Sequence, residues 1–100
     1  MTLQKGEYGI DFVVRFMQDG EAKDVSSATT RQIIWRSPTG VVVTKAAVFV
    51  SSGTDGRVKY PIVSGDMNEA GLWSAQGIAV GTTFSWKTRV GHFYVGDNLV

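Results

Sequence analysis

The stretch from Asp24 to Val43, DVSSATTRQIIWRSPTGVVV, constrains the fold more than any other part of the chain. It reads as a polar turn, a strand, a tight Pro-Thr-Gly turn and a second strand. Within Arg31 to Arg36, Ile33 and Trp35 share one face while Gln32, Ile34 and Arg36 share the other. That is the period of two of a strand with one buried side. Pro38 presets φ at the first corner of the turn, and Gly40 lets the chain leave it.

The same rhythm continues in both directions. Ile10, Phe12, Val14 and Phe16 alternate with Asp11, Val13, Arg15 and Met17, and Gln18-Asp19-Gly20-Glu21 supplies a hairpin signal. The hydroxyls of Ser26 to Thr30 suit a turn that bonds its own backbone. Val41 to Val50 predicts two short strands bent near Lys45-Ala46, followed by the loop Ser51 to Gly56. Val58, Tyr60 and Ile62 face inward from the next strand, where Pro61 marks an edge or a strand end. Ser64 to Gly71 predicts one short helix, capped by Ser64 or Asp66 and closed by Gly71. Leu72 to Val80 and Phe84 to Val95 complete the set. In the last run Phe93 and Val95 fall out of register with Phe84, Trp86, Thr88 and Val90, which predicts a bulge near Gly91. The expected fold is all-β: an immunoglobulin-like antiparallel β-sandwich of seven to eight strands with one short helix. It forms a single domain over residues 1–100, with its core in 5–95 and a tail in 96–100. An open five-stranded barrel is the competing architecture.

Composition narrows the function classes. The formal net charge is +1, far from the basic excess of a protein that relies on phosphate neutralisation, so nucleic acid is not an expected partner. There is no cysteine, hence no disulfide framework and no thiolate metal site. No apolar run suggests a signal peptide or a membrane span, and the reading is of a soluble, unexported domain. His92 is the one histidine and has no nucleophile or ligand motif around it, so it reads as a strand residue. Asp19, Asp55 and Asp66 sit at turns, and the spacing of a calcium loop is missing. Arg57, Lys59, Lys87 and Arg89 would form a basic stripe near Trp86 if their strands were adjacent, but with so small a net charge a solvated sheet face is the favoured reading. Trp35, Trp73 and Trp86 raise a carbohydrate-binding alternative against the default of buried aromatics. The expectation is a non-enzyme with no catalytic residue, no cofactor and no metal.

The succession DVSSATTRQIIWRSPTGVVVTKAA, GTDGRVKY and SGDMNEAGLWSAQG, followed by an aromatic strand, resembles the N-terminal domain of phage baseplate upper proteins. It is similar also to small β-sandwich proteins of phage virions. Lys5-Gly6, Asp24, Ala28, Pro38, Gly40, Gly71 and Trp73 carry the match, which runs from about Lys5 to Val95. The resemblance implies a virion structural protein, assembled in the host cytoplasm, that docks on other virion proteins of the tail, baseplate, neck or capsid. A homo-oligomer is a further option. Baseplate upper proteins continue into a trimerising stalk, whereas this chain ends at Val100, which turns the expectation towards a compact accessory or decoration protein. The expected docking elements are the segment Met1 to Tyr8 and the tail Gly96, Asp97, Asn98, Leu99 and Val100.

Overall fold

A computed structural model describes residues 2–98. Eleven strands follow one another: β1 (Thr2–Gln4), β2 (Asp11–Arg15), β3 (Met17–Gln18), β4 (Glu21–Ala22), β5 (Thr30–Arg36), β6 (Val42–Ala46), β7 (Val48–Phe49), β8 (Arg57–Pro61), β9 (Gly71–Val80), β10 (Ser85–Lys87) and β11 (Gly91–Gly96). The larger sheet runs β1-β11-β9-β5-β6, with β10 also on β9. The smaller runs β2-β8-β7, and β3-β4 is a separate hairpin. Asp19 and Gly20 both take positive φ, 52° and 81°, as the two-residue turn between right-twisted strands demands.

The two larger sheets face each other across an aromatic core. Trp35 on β5 lies at its centre, 5.4 Å from Phe12 and 5.5 Å from Tyr60 on the smaller sheet. On its own sheet it meets Trp73 at 6.3 Å and Phe93 at 6.4 Å. All four contacts are edge-on, the arrangement that ring quadrupoles prefer. Ile33, Val58, Ile62, Met67 and Val95 close the remaining space. This two-layer, all-β arrangement is consistent with a sandwich.

Three expectations are corrected. Ser64 to Gly71 is not a helix: turns and bends fall between Ser64 and Ala70, and Gly71 begins β9. The Asp66 carboxylate accepts the Val63 N–H at 2.9 Å and the Tyr60 hydroxyl at 2.9 Å, and Met67 is driven into the core. The Glu69 carbonyl receives the Trp73 indole N–H at 3.0 Å. Partners from other strands thus hold the polar groups that a short helix would have to satisfy by itself. The sheets are not purely antiparallel either, since β1 runs parallel to β11, with Leu3 opposite Val95. Leu3 is buried, so the core reaches back beyond Lys5. Finally, the described residues form eleven strands in place of seven to eight, because long runs are interrupted. The run changes sheets at Ala47, whose N–H donates to the Arg31 carbonyl at 2.9 Å before Val48 pairs with Lys59 on β8.

The last run divides into β10 and β11 at a bulge. Lys87 lies opposite Ile78 and Gly91 opposite Ala75, so four steps on one strand match three on the other. Thr88 holds the break together. Its N–H donates to the Gly77 carbonyl at 2.9 Å, and its Oγ1 accepts the Gly77 N–H at 2.9 Å. The extra residue returns Phe93 and Val95 to the core, as the sequence periodicity requires. A Cβ on Gly77 would lie 2.8 Å from Val14 and 3.2 Å from Phe16, both side chains on the facing sheet's side of the core. Gly77→Ala is therefore expected to destabilise the fold by about 2 kcal/mol, read as a lower urea midpoint with an unchanged m-value. An unshifted midpoint would show that the sheets can separate freely at this point.

Candidate functional site

The bulge also shapes a surface groove. Among the described residues β2 pairs with β8 alone, which leaves one of its edges open. Hydrogen bonds from Ile62 N–H to the Ile10 carbonyl and from Phe16 N–H to the Gly56 carbonyl set the phase of this ladder. Even-numbered residues bond β8, and the alternation of an antiparallel pair turns the N–H and C=O of Asp11, Val13 and Arg15 to the open edge. Facing it across the gap between the sheets are β10, the bulge and the start of β11. The parallel pairing of β1 with β11 covers Tyr94 to Gly96 only. Among the described residues no strand pairs with the outer edge of β11 at His92.

Between these two edges lies a groove of about 440 Å³. Its floor is apolar, made by Phe12, Val14, Ala75 and Phe93, with Val13 and Met17 on one wall. Val13 and Met17 are 47% and 46% exposed, an apolar surface on an edge that proteins ordinarily shield. Arg15, Lys87, Arg89 and His92 stand on the walls, and among the described residues no Asp or Glu lines the groove. The Arg15 Nε donates only a long bond, 3.3 Å, to the Asp55 carbonyl. Among the described residues neither Lys87 nor Arg89 has a carboxylate within ion-pair distance; the bridges present are Lys45–Asp66 and Lys59–Asp11.

No protein-family model matches this chain, and no curated protein matches it.

Arg57 and Lys59 lie on β8 in one sheet while Lys87 lies on β10 in the other, so the four cations do not form a single stripe. Lys59 reaches Asp11 at 3.5 Å. Lys87 and Arg89 instead face Arg15, which periodicity marked only as an outward strand residue. His92 is on β11, opposite Ser74. Among the described residues there is no group of three or more His, Cys, Asp or Glu side chains that could hold a metal ion.

The tryptophans offer no open platform. Trp35 and Trp73 are buried. Trp86 stacks on Phe84 at 4.1 Å, and the Lys23 ammonium stands 3.9 Å from its ring centre. Two groups that close cannot share one face, so both faces are taken. The expected tail is also engaged. Gly96 ends β11 and is buried, its carbonyl accepts the Lys5 N–H at 2.9 Å, and Asn98 donates to the Lys5 carbonyl at 2.8 Å. Asp97 is exposed, while Leu99, Val100 and Met1 lie outside the described residues.

A second, smaller recess of about 220 Å³ opens where β5, β6 and the loop before β9 meet. Lys45 there pairs with Asp66 at 3.1 Å, with the carboxylate only 7% exposed. Desolvation pushes the Asp66 carboxyl up. The Val63 N–H, the Lys45 ammonium and the Tyr60 hydroxyl outweigh it, and the group ends below the ordinary carboxylate value. Lys45 is raised, first by its hydrogen bond to Asp66, and Tyr60 is raised, first by burial. Every member of this triad has a partner, the pattern of a structural tie.

Proposed function

We propose that this chain is a non-enzymatic docking domain of immunoglobulin-like topology, a structural component of a phage particle bound in several copies to a symmetric assembly. The observation that carries the docking reading is the groove, where an open strand edge meets an apolar floor. Unpaired backbone groups and a recess for side chains are what a protein partner uses in recognition by strand pairing. The strand orders support the finer fold assignment. Read as A′-G-F-C-C′ over B-E-D, the orders β1-β11-β9-β5-β6 and β2-β8-β7 follow the immunoglobulin scheme, with Trp35 on the strand that carries the core tryptophan of that scheme. Support for a virion origin comes from the resemblance to baseplate upper proteins, whose matching residues here hold the frame together. Trp73 is core, and a Cβ on Gly71 would lie 2.7 Å from Pro38.

The test is the copy number of the protein in purified particles, by quantitative mass spectrometry scaled to the major capsid protein. Because symmetric assemblies fix subunit counts, hundreds of copies assign a capsid decoration, and a few to a few dozen assign a tail, baseplate or neck component. Absence from the particle would overturn the virion reading.

A further inference from the structure

We infer that the groove between β2 and the β10–β11 bulge binds an extended, acidic segment of a partner protein, which adds to the open edge of β2 as a further strand. This rests on the docking reading above and names the site and the chemistry of its occupant.

Three observations converge. The backbone of Asp11, Val13 and Arg15 turns outward along five residues of strand, room for a segment of about 17 Å at ~3.3 Å per residue. A strand laid there places alternate side chains over Phe12, Ala75 and Phe93, so the apolar floor selects small aliphatic residues at every second position. The remaining side chains meet Arg15, Lys87 and Arg89. In a protein of net charge +1 these cations stand together without an acid in the groove, which selects carboxylates.

A second copy of this chain fits less well. Antiparallel pairing of two β2 strands about Val13 would set Asp11 opposite Arg15. However, Phe12, Val14 and Phe16 of the incoming strand are committed to their own core, so nothing would fill the floor. Single-stranded nucleic acid would match the charge, but it could not use the hydrogen-bonding edge, and the Trp86 ring is covered on both faces.

The experiment uses the full chain and a labelled peptide alternating valine with glutamate or aspartate, together with the same peptide carrying lysine in place of the acids. The acidic peptide is expected to bind, to weaken as salt rises, and to slow amide exchange at Asp11, Val13 and Arg15. The triple variant Arg15→Glu, Lys87→Glu, Arg89→Glu, whose sites are all exposed, is expected to lose at least tenfold in affinity. Val13→Pro removes one outward N–H without touching the ladder to β8 and is expected to weaken binding while leaving the melting temperature nearly unchanged. No binding, equal binding of the lysine peptide, or binding without protection of those three amides would overturn the inference. So would a dimer that Val13→Pro dissociates, or preferential binding of an oligothymidylate. None of these outcomes bears on the copy number in particles, so a failure of the groove and a failure of the virion reading are separately visible.

Discussion

Truncation of Trp35 to alanine is expected to lower the free energy of unfolding by about 4 kcal/mol. The ring is 1% exposed and touches Phe12, Tyr60, Trp73 and Phe93 edge-on. Two of those partners belong to the smaller sheet and two to the larger, so the truncation empties the joint between the layers. A domain of this size has a total stability of roughly 5–15 kcal/mol, and the variant would stand close to unfolding at ambient temperature. Urea titration followed by far-UV circular dichroism measures the loss. A decrease under about 2 kcal/mol would mean that neighbouring rings collapse into the space more completely than close-packed cores do. Milder substitutions separate packing from hydrogen bonding. Trp73 donates its indole N–H to Glu69, whereas among the described residues the Trp35 N–H has no protein acceptor. Trp73→Phe should therefore lose a hydrogen bond in addition to ring area, about 1 kcal/mol more than Trp35→Phe.

The second large effect is expected at Asp66, where alanine should cost about 3 kcal/mol. The carboxylate gathers the Lys45 ammonium, the Tyr60 hydroxyl and the Val63 N–H, three donors from three segments of the chain. Removing it leaves all three without their acceptor and frees the loop that carries Met67 into the core. The same group governs the acid response. Its pKa is depressed on folding, so its stabilisation is complete above the unfolded value near 3.8 and fades as pH falls through the lower, folded one. Lys45 and Tyr60 are raised from 10.5 and 10.0. Their contributions are complete below those values and fade as pH rises through the higher folded ones. Stability against pH should thus be flat across the neutral range, with a limb at each end. Asp66→Asn should flatten the acid limb and shrink the alkaline one. A titration in which Asp66→Asn keeps the wild-type acid limb would show that other carboxylates set it.

Both residues show how far local pattern reaches. Trp35 is legible as an inward strand residue because a strand's two faces are written in adjacent positions, and the hairpin at Asp19-Gly20 is legible for the same reason. The bulge could be anticipated because a register fault is itself a local defect, visible where Phe93 and Val95 change side. Asp66 reads locally as a turn residue or an alternative to Ser64 as helix cap, whereas the fold ties it to Lys45 and Tyr60. Its partners Lys45 and Tyr60 lie on strands whose placement no turn signal announces, and their combined pull outweighs the weak preference of SGDMNEAG for a single helical turn or two. Strand β1 escaped notice because three residues with one apolar side chain gain order only by pairing with β11, at the far end of the chain.

The groove is not legible in the sequence. Arg15 is unremarkable beside Asp11 and Val13 until the fold brings it opposite Lys87 and Arg89, more than seventy residues away in sequence. Sequence alone determined the longer strand runs, which of their faces would be apolar and where the last strand would break, since these depend on a few neighbouring residues and the pleat. Tertiary structure decided which edges remain unpaired, which cations stand together and which polar groups are tied. Those properties depend on the order of strands in the sheets, and that order is set by the packing of the whole core.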